Sequence, residues 1–99
     1  MTAQMQKEPY DSLSFVLDQA FNRAAKGKGK ERHADDLPFE QQDICQELRI
    51  FDSISPALFQ ARKKIKETRR LDREGAINEL LDAVVYLSAA VIVLQEGQK

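Results

Sequence analysis

The sequence is poor in the residues that staple small proteins together or commonly serve catalysis. It holds one cysteine, one histidine, no tryptophan and four glycines in 99 residues. With Cys45 alone, neither an intrachain disulfide nor a cysteine-based zinc cluster can form, and a reducing cytoplasm is the expected setting. With His33 alone, no neighbouring base is evident for a serine or cysteine nucleophile. Net charge is also missing. Fifteen basic residues face sixteen acidic ones, for a formal charge of −1. The chain as a whole therefore has no bias towards nucleic acid or an anionic membrane, and any electrostatic recognition has to be local. The N-terminus, MTAQMQKEPYDSLSF, has no basic start followed by an apolar stretch, so a secretory leader is not expected. The run Leu80 to Leu94 is shorter than the roughly 20 residues of a membrane span and contains Asp82, Tyr86 and Ser88. A buried helix is expected there, with no membrane partner.

What is present is helical. Hydrophobic residues make up 42% and charged residues 31%, a globular balance, and no alternating strand pattern or internal repeat interrupts it. Residues 1–9 read as a flexible tail and 10–97 as a single helical domain. Leu13, Val16, Leu17, Ala20, Phe21 and Ala24 recur at helical spacing, with Asp11 or Ser12 as N-cap and Gly27 as the stop. Pro38 opens a second helix over about 39–50. Ser55-Pro56 is a start signal, a capping hydroxyl before a proline at the first helical position, and predicts a third helix to about Arg69 with a narrow stripe of Leu58, Ala61 and Ile65. Asp72 caps a last helix over 73–95, whose first turn holds Glu74. The class expected is all-α, a small helical bundle built on a C-terminal helical hairpin. Residues 80–94 are apolar on nearly every face, and a helix apolar all round must be covered all round. Three short neighbours are too few, so a homo-oligomer, a dimer or higher, is expected through this segment, with Ala83, Ala89 and Ala90 permitting close approach.

Two basic stretches carry the candidate chemistry. In KGKGKERH, residues 26–33, two glycines free the backbone to present N–H groups, while Lys26, Lys28, Lys30 and Arg32 add charge and His33 a pH-dependent donor. Phosphate is the natural complement, and the alternative is a solvated helix end. On the third helix Lys63, Lys66 and Arg69, with Arg62 and Arg70, put charges on adjacent turns suited to a nucleotide or an acidic protein surface. The alternative there is a solvated face balanced by Glu47, Asp52 and Glu67. The acidic pI of about 5.8 and the lack of interleaved aromatics weigh against nucleic acid. A third pair, Glu79 and Asp82, lies three residues apart on one helix face, where carboxylates can hold Mg²⁺ or pair with the basic residues of helix three.

Two resemblances enter here. AINELLDAVVYLSAAVIVL resembles the last core helix of the MazG-like all-α nucleotide pyrophosphohydrolases, which implies a magnesium site at Glu79 and Asp82. That family's second acidic pair, E-x-x-E on an earlier helix, has only Glu40-Gln41-Gln42-Asp43 as a counterpart. Over the whole chain, AAKGKGKERHADDLPFEQQ, KKIKETRRL and AINELLDAVVYLSAAVIVL resemble small helical proteins of bacterial phages and prophages, which implies an accessory protein in a bacterial host cell and assigns no catalytic residue. Three functions follow as expectations. The first is a binder of a phosphorylated ligand, a nucleotide above all, that uses no cofactor. The second is an interaction module acting on a host or phage protein. The third is a magnesium-dependent pyrophosphohydrolase.

Overall fold

The computed structural model describes residues 8–26 and 37–97. Four α-helices follow one another: α1 (Asp11–Lys26), α2 (Asp43–Ile50), α3 (Ser55–Glu67) and α4 (Arg73–Gln95). No strand occurs among the described residues, so the class is all-α. Expected and observed limits agree for α1 and α4. The second element differs: Phe39–Gln41 forms a single 3₁₀ turn and Gln42 is extended, so α2 begins only at Asp43. The polar run Glu40 to Asp43 has no apolar side chain to hold an extra helical turn against the core.

Local chemistry sets the ends. Asp72 Oδ1 accepts the Gly75 N–H at 2.8 Å, capping α4. A Cβ on Gly75 would stand 3.1 Å from that oxygen and 3.2 Å from Leu71 Cβ, so glycine leaves the cap room to close. Asp52 ends α2 in the left-handed region with φ of 52°. The Ser53 N–H donates to Leu48 O and the Asp52 N–H to Arg49 O, the paired bonds of a helix stop that usually employs glycine. At the start of α3 the expected hydroxyl is displaced by two residues. Ser55 is already helical, and Ser53 Oγ accepts its N–H at 3.0 Å.

The core is small. It joins Cys45 and Leu48 of α2, Ala57 of α3, and Ala89, Ala90 and Val93 of α4, with Phe39, Ile44 and Ile54 packed against it. Of the stripe expected on α3, only Ala61 is buried; Leu58 and Ile65 are exposed, and Ala57 takes the inner position instead. Two alanines one turn apart let α3 approach α4 closely, which turns the larger side chains outward. On α1 only Ala20 is buried, while Leu13, Val16, Leu17 and Phe21 stay exposed. The radius of gyration, 15.1 Å, exceeds the approximately 13 Å of a compact chain this long. The helices form an open assembly, and α4 keeps one uncovered face with Ile77, Leu80, Leu87, Val91 and Leu94 exposed.

Candidate functional site

The cations of α3 divide by helical phase. Lys64 follows Ala57 and Ala61 along the inner stripe and reaches α4, where its Nζ lies 3.4 Å from Glu79 Oε1 and 3.8 Å from Asp82 Oδ2. Asp82 also receives Arg23 of α1, in a forked contact with Nε at 2.7 Å and Nη2 at 3.1 Å. Arg23 is half-buried, and the Asp82 hydrogen bond raises its pKa further above its ordinary value. The E-x-x-D pair is thus engaged in an ionic clamp that joins α1, α3 and α4. Its partners are Lys64 and Arg23, not the Arg62, Lys66 or Arg69 suggested by charge density alone. The signal for both was spacing: Lys64 falls three residues after buried Ala61, and Arg23 three after buried Ala20. No cluster of three or more acidic, histidine or cysteine groups able to hold a metal occurs among the described residues.

The remaining cations of α3 face away from α4. Arg62, Lys63, Lys66, Arg69 and Arg70 lie together with Phe59 and Glu67 on one outward face of α3 and the turn that follows it. The spacing 59, 62/63, 66, 69/70 is one helical face. Its last step runs through a 3₁₀ turn, Thr68–Arg70, where Thr68 Oγ1 donates to Ile65 O at 2.7 Å. Glu67 reaches Arg70 at 3.6 Å. Arg62, Lys63, Lys66 and Arg69 have no ion-pair partner among the described residues. Phe59, 63% exposed, supplies an aromatic surface one turn before the charges. It escapes a reading restricted to the basic string, because it precedes Arg62 by three residues and Lys63 by four.

Of the other candidate residues, Lys26 is the exposed last residue of α1. Lys28, Lys30, Arg32 and His33 lie outside the described residues. Arg23 and Lys64, each three residues before the end of its helix, meet on one carboxylate. The C-terminal turns of α1 and α3 therefore both reach Asp82, the tenth residue of α4.

A second concavity, about 710 Å³, runs between α1 and α4 and is lined by Leu17, Phe21, Phe39, Val85 and Ile92 among others. Its polar members are committed elsewhere: Gln42 Nε2 donates to Leu37 O and Ser88 Oγ to Val84 O, both at 2.8 Å. This groove offers apolar surface and little chemistry, whereas the outward face of α3 offers unpaired positive charge. Comparison with known proteins adds no relative: no family model, no curated protein and no solved structure matches the chain.

Proposed function

We propose that the protein is a small helical-bundle accessory protein, of the kind encoded by phages and prophages, that binds a phosphorylated ligand on the outer face of α3. The observation that carries this reading is the set Arg62, Lys63, Lys66 and Arg69, gathered around exposed Phe59 without ionic partners among the described residues. Like charges on adjacent helical turns repel, and a polyanion relieves that repulsion. Phosphate oxygens accept charge-assisted hydrogen bonds from both arginine and lysine, and arginine adds a planar fork. An aromatic face beside them suits a base, since stacking is available to every base. A nucleotide satisfies both halves of this exposed face, its phosphates on the cations and its base on Phe59. The activity is binding in the cytoplasm of a bacterial host, with no cofactor and no catalytic residue.

Isothermal titration with ATP, inorganic triphosphate, an acidic peptide and a mixed-sequence oligonucleotide tests the proposal. ATP should bind and raise the melting temperature. The double variant Lys66→Glu, Arg69→Glu should lose at least about tenfold in affinity, with unliganded stability within about half a kcal/mol, as for most exposed positions. Failure of every phosphorylated probe, or equal binding by the double variant, overturns the reading. Preference for the acidic peptide would make this face a protein-docking surface instead.

A further inference from the structure

The uncovered face of α4 has a register of its own. Its side chains fall at Ile77, Leu80, Val84, Leu87, Val91 and Leu94, a 3-4-3-4-3 spacing that keeps them in one seam over almost the whole helix. Five of the six are 43–50% exposed, and Val84, half-buried, also borders the groove between α1 and α4. Written as a heptad, the β-branched residues Ile77, Val84 and Val91 occupy every a position, and Leu80, Leu87 and Leu94 every d position. Between parallel helices that division favours two strands over three or four. The opposite side of α4, packed on α2 and α3, follows no such rule: its buried residues are Leu81, Ala83, Ala89, Ala90 and Val93.

We infer that a second copy of this chain covers this face, α4 against α4, in a parallel two-stranded seam running from Ile77 to Leu94. On α3, Gln60 lies on the flank facing α2. Leu58 and Ile65 lie on the other flank, 45% and 50% exposed, where they widen the seam. Together these eight side chains expose on the order of 600 Å² per copy, or about 1,200 Å² for two, which reaches the size of specific stable interfaces. The area per copy lies at the upper end of what a lone chain ordinarily leaves open, since the largest apolar patch of a monomer is about 300–600 Å². No charged residue falls on an a or d position. Arg62 and Arg69, next to Leu58 and Ile65 around the α3 helix, stand at the rim, so pairing leaves the basic face open to solvent.

By length and composition α4 would also cross a membrane, and the experiment separates that outcome. Sedimentation of the full chain at micromolar concentration should give twice the 11.3 kDa of one chain. Leu87→Glu should shift the mass to the monomer. Ile50→Glu, at a site 72% exposed on α2 and away from the seam, should leave the dimer intact. Val91→Cys should form an interchain disulfide on mild oxidation, because equivalent a positions adjoin in a parallel pair; Cys45, fully buried, does not compete. The cysteine variant gives a positive signal even if Leu87→Glu fails to fold. A monomeric parent, a dimer that Ile50→Glu breaks, a dimeric Val91→Cys that refuses to cross-link, or flotation of the parent with neutral lipid vesicles would each overturn the inference.

Discussion

The two sides of α4 use hydrophobic residues in opposite ways. The side turned to α2 and α3 is built from Ala83, Ala89, Ala90 and Val93, against Ala57, Ala61, Cys45 and Leu48. The other side carries the larger Ile77, Leu80, Leu87, Val91 and Leu94, and leaves them exposed. Small residues permit close approach of helices but remove little apolar area from water, and stabilisation scales with that area. Within one chain, then, α4 is fixed by fit and by charge, while its larger apolar side chains on the other side stay exposed. The clamp of Arg23, Lys64, Glu79 and Asp82 fits this division, adding direction where packing alone adds little.

The closed side should be the more sensitive. Asp82→Ala strands Arg23 and Lys64 at a half-buried site, and should lower unfolding stability by about 2–3 kcal/mol. That is less than the loss from a fully buried pair, because water reaches this one. Urea denaturation measures it, and a loss under half a kcal/mol would show that the clamp is only decoration. Next comes a pair of opposite changes. Ala89→Leu inserts a large side chain where none fits and should cost about 1–3 kcal/mol. Leu87→Ala, two residues earlier on the open side, should change the stability of the dilute chain by no more than about half a kcal/mol. If the two variants behaved alike, the contrast between the sides would fail.

Two smaller effects depend on pH. Burial pushes the Cys45 thiol above its ordinary range. Its contribution is complete below the pKa of a free thiol and is lost as pH rises through the higher folded value. Stability should therefore decline in the alkaline range by an amount that Cys45→Ala removes, with slow thiol labelling of the folded parent as a parallel check. Smallest is the Arg49–Glu96 pair, which joins α2 to the residue after α4 with Nη2–Oε2 at 2.6 Å. The hydrogen bond from Arg49 holds the Glu96 carboxyl below the usual carboxylate range. This contribution is present above that range and disappears as pH falls through the lower folded value. Glu96→Gln should flatten the acid limb of the stability curve slightly, and an unchanged limb would show that solvent screens the pair completely.

Much of the fold was legible because its signals are local. Asp72 before REGAINELL reads as a cap from chemistry within one turn, and α4 from continuous apolar character. The α3 stripe was not legible in the same way. The expected stripe of Leu58, Ala61 and Ile65 is right only at Ala61, because close packing of two helices selects Ala57 beside it in place of the larger Leu58 and Ile65, and only a neighbour's shape decides between them. The candidate face divides likewise. Lys63, Lys66 and Arg69 stand out by charge alone. Separating them from Lys64 requires the phase of the helix relative to α4, and pairing Asp82 with Arg23 requires knowing where a distant helix docks.

That docking has a consequence in time. Arg23 and Asp82 are 59 residues apart in sequence, whereas Lys64 and Glu79 belong to neighbouring helices joined by a short turn. Closing the long loop costs more chain entropy than closing the hairpin, so α3 and α4 should pair before α1 arrives. A contact made after the folding barrier slows escape rather than formation. Arg23→Ala should therefore quicken unfolding severalfold and leave the refolding rate almost unchanged in stopped-flow measurements, and a slowed refolding limb would place α1 in the nucleus. On that order the forked contact on Asp82 would be, in kinetic terms, the last latch to close and the first to open.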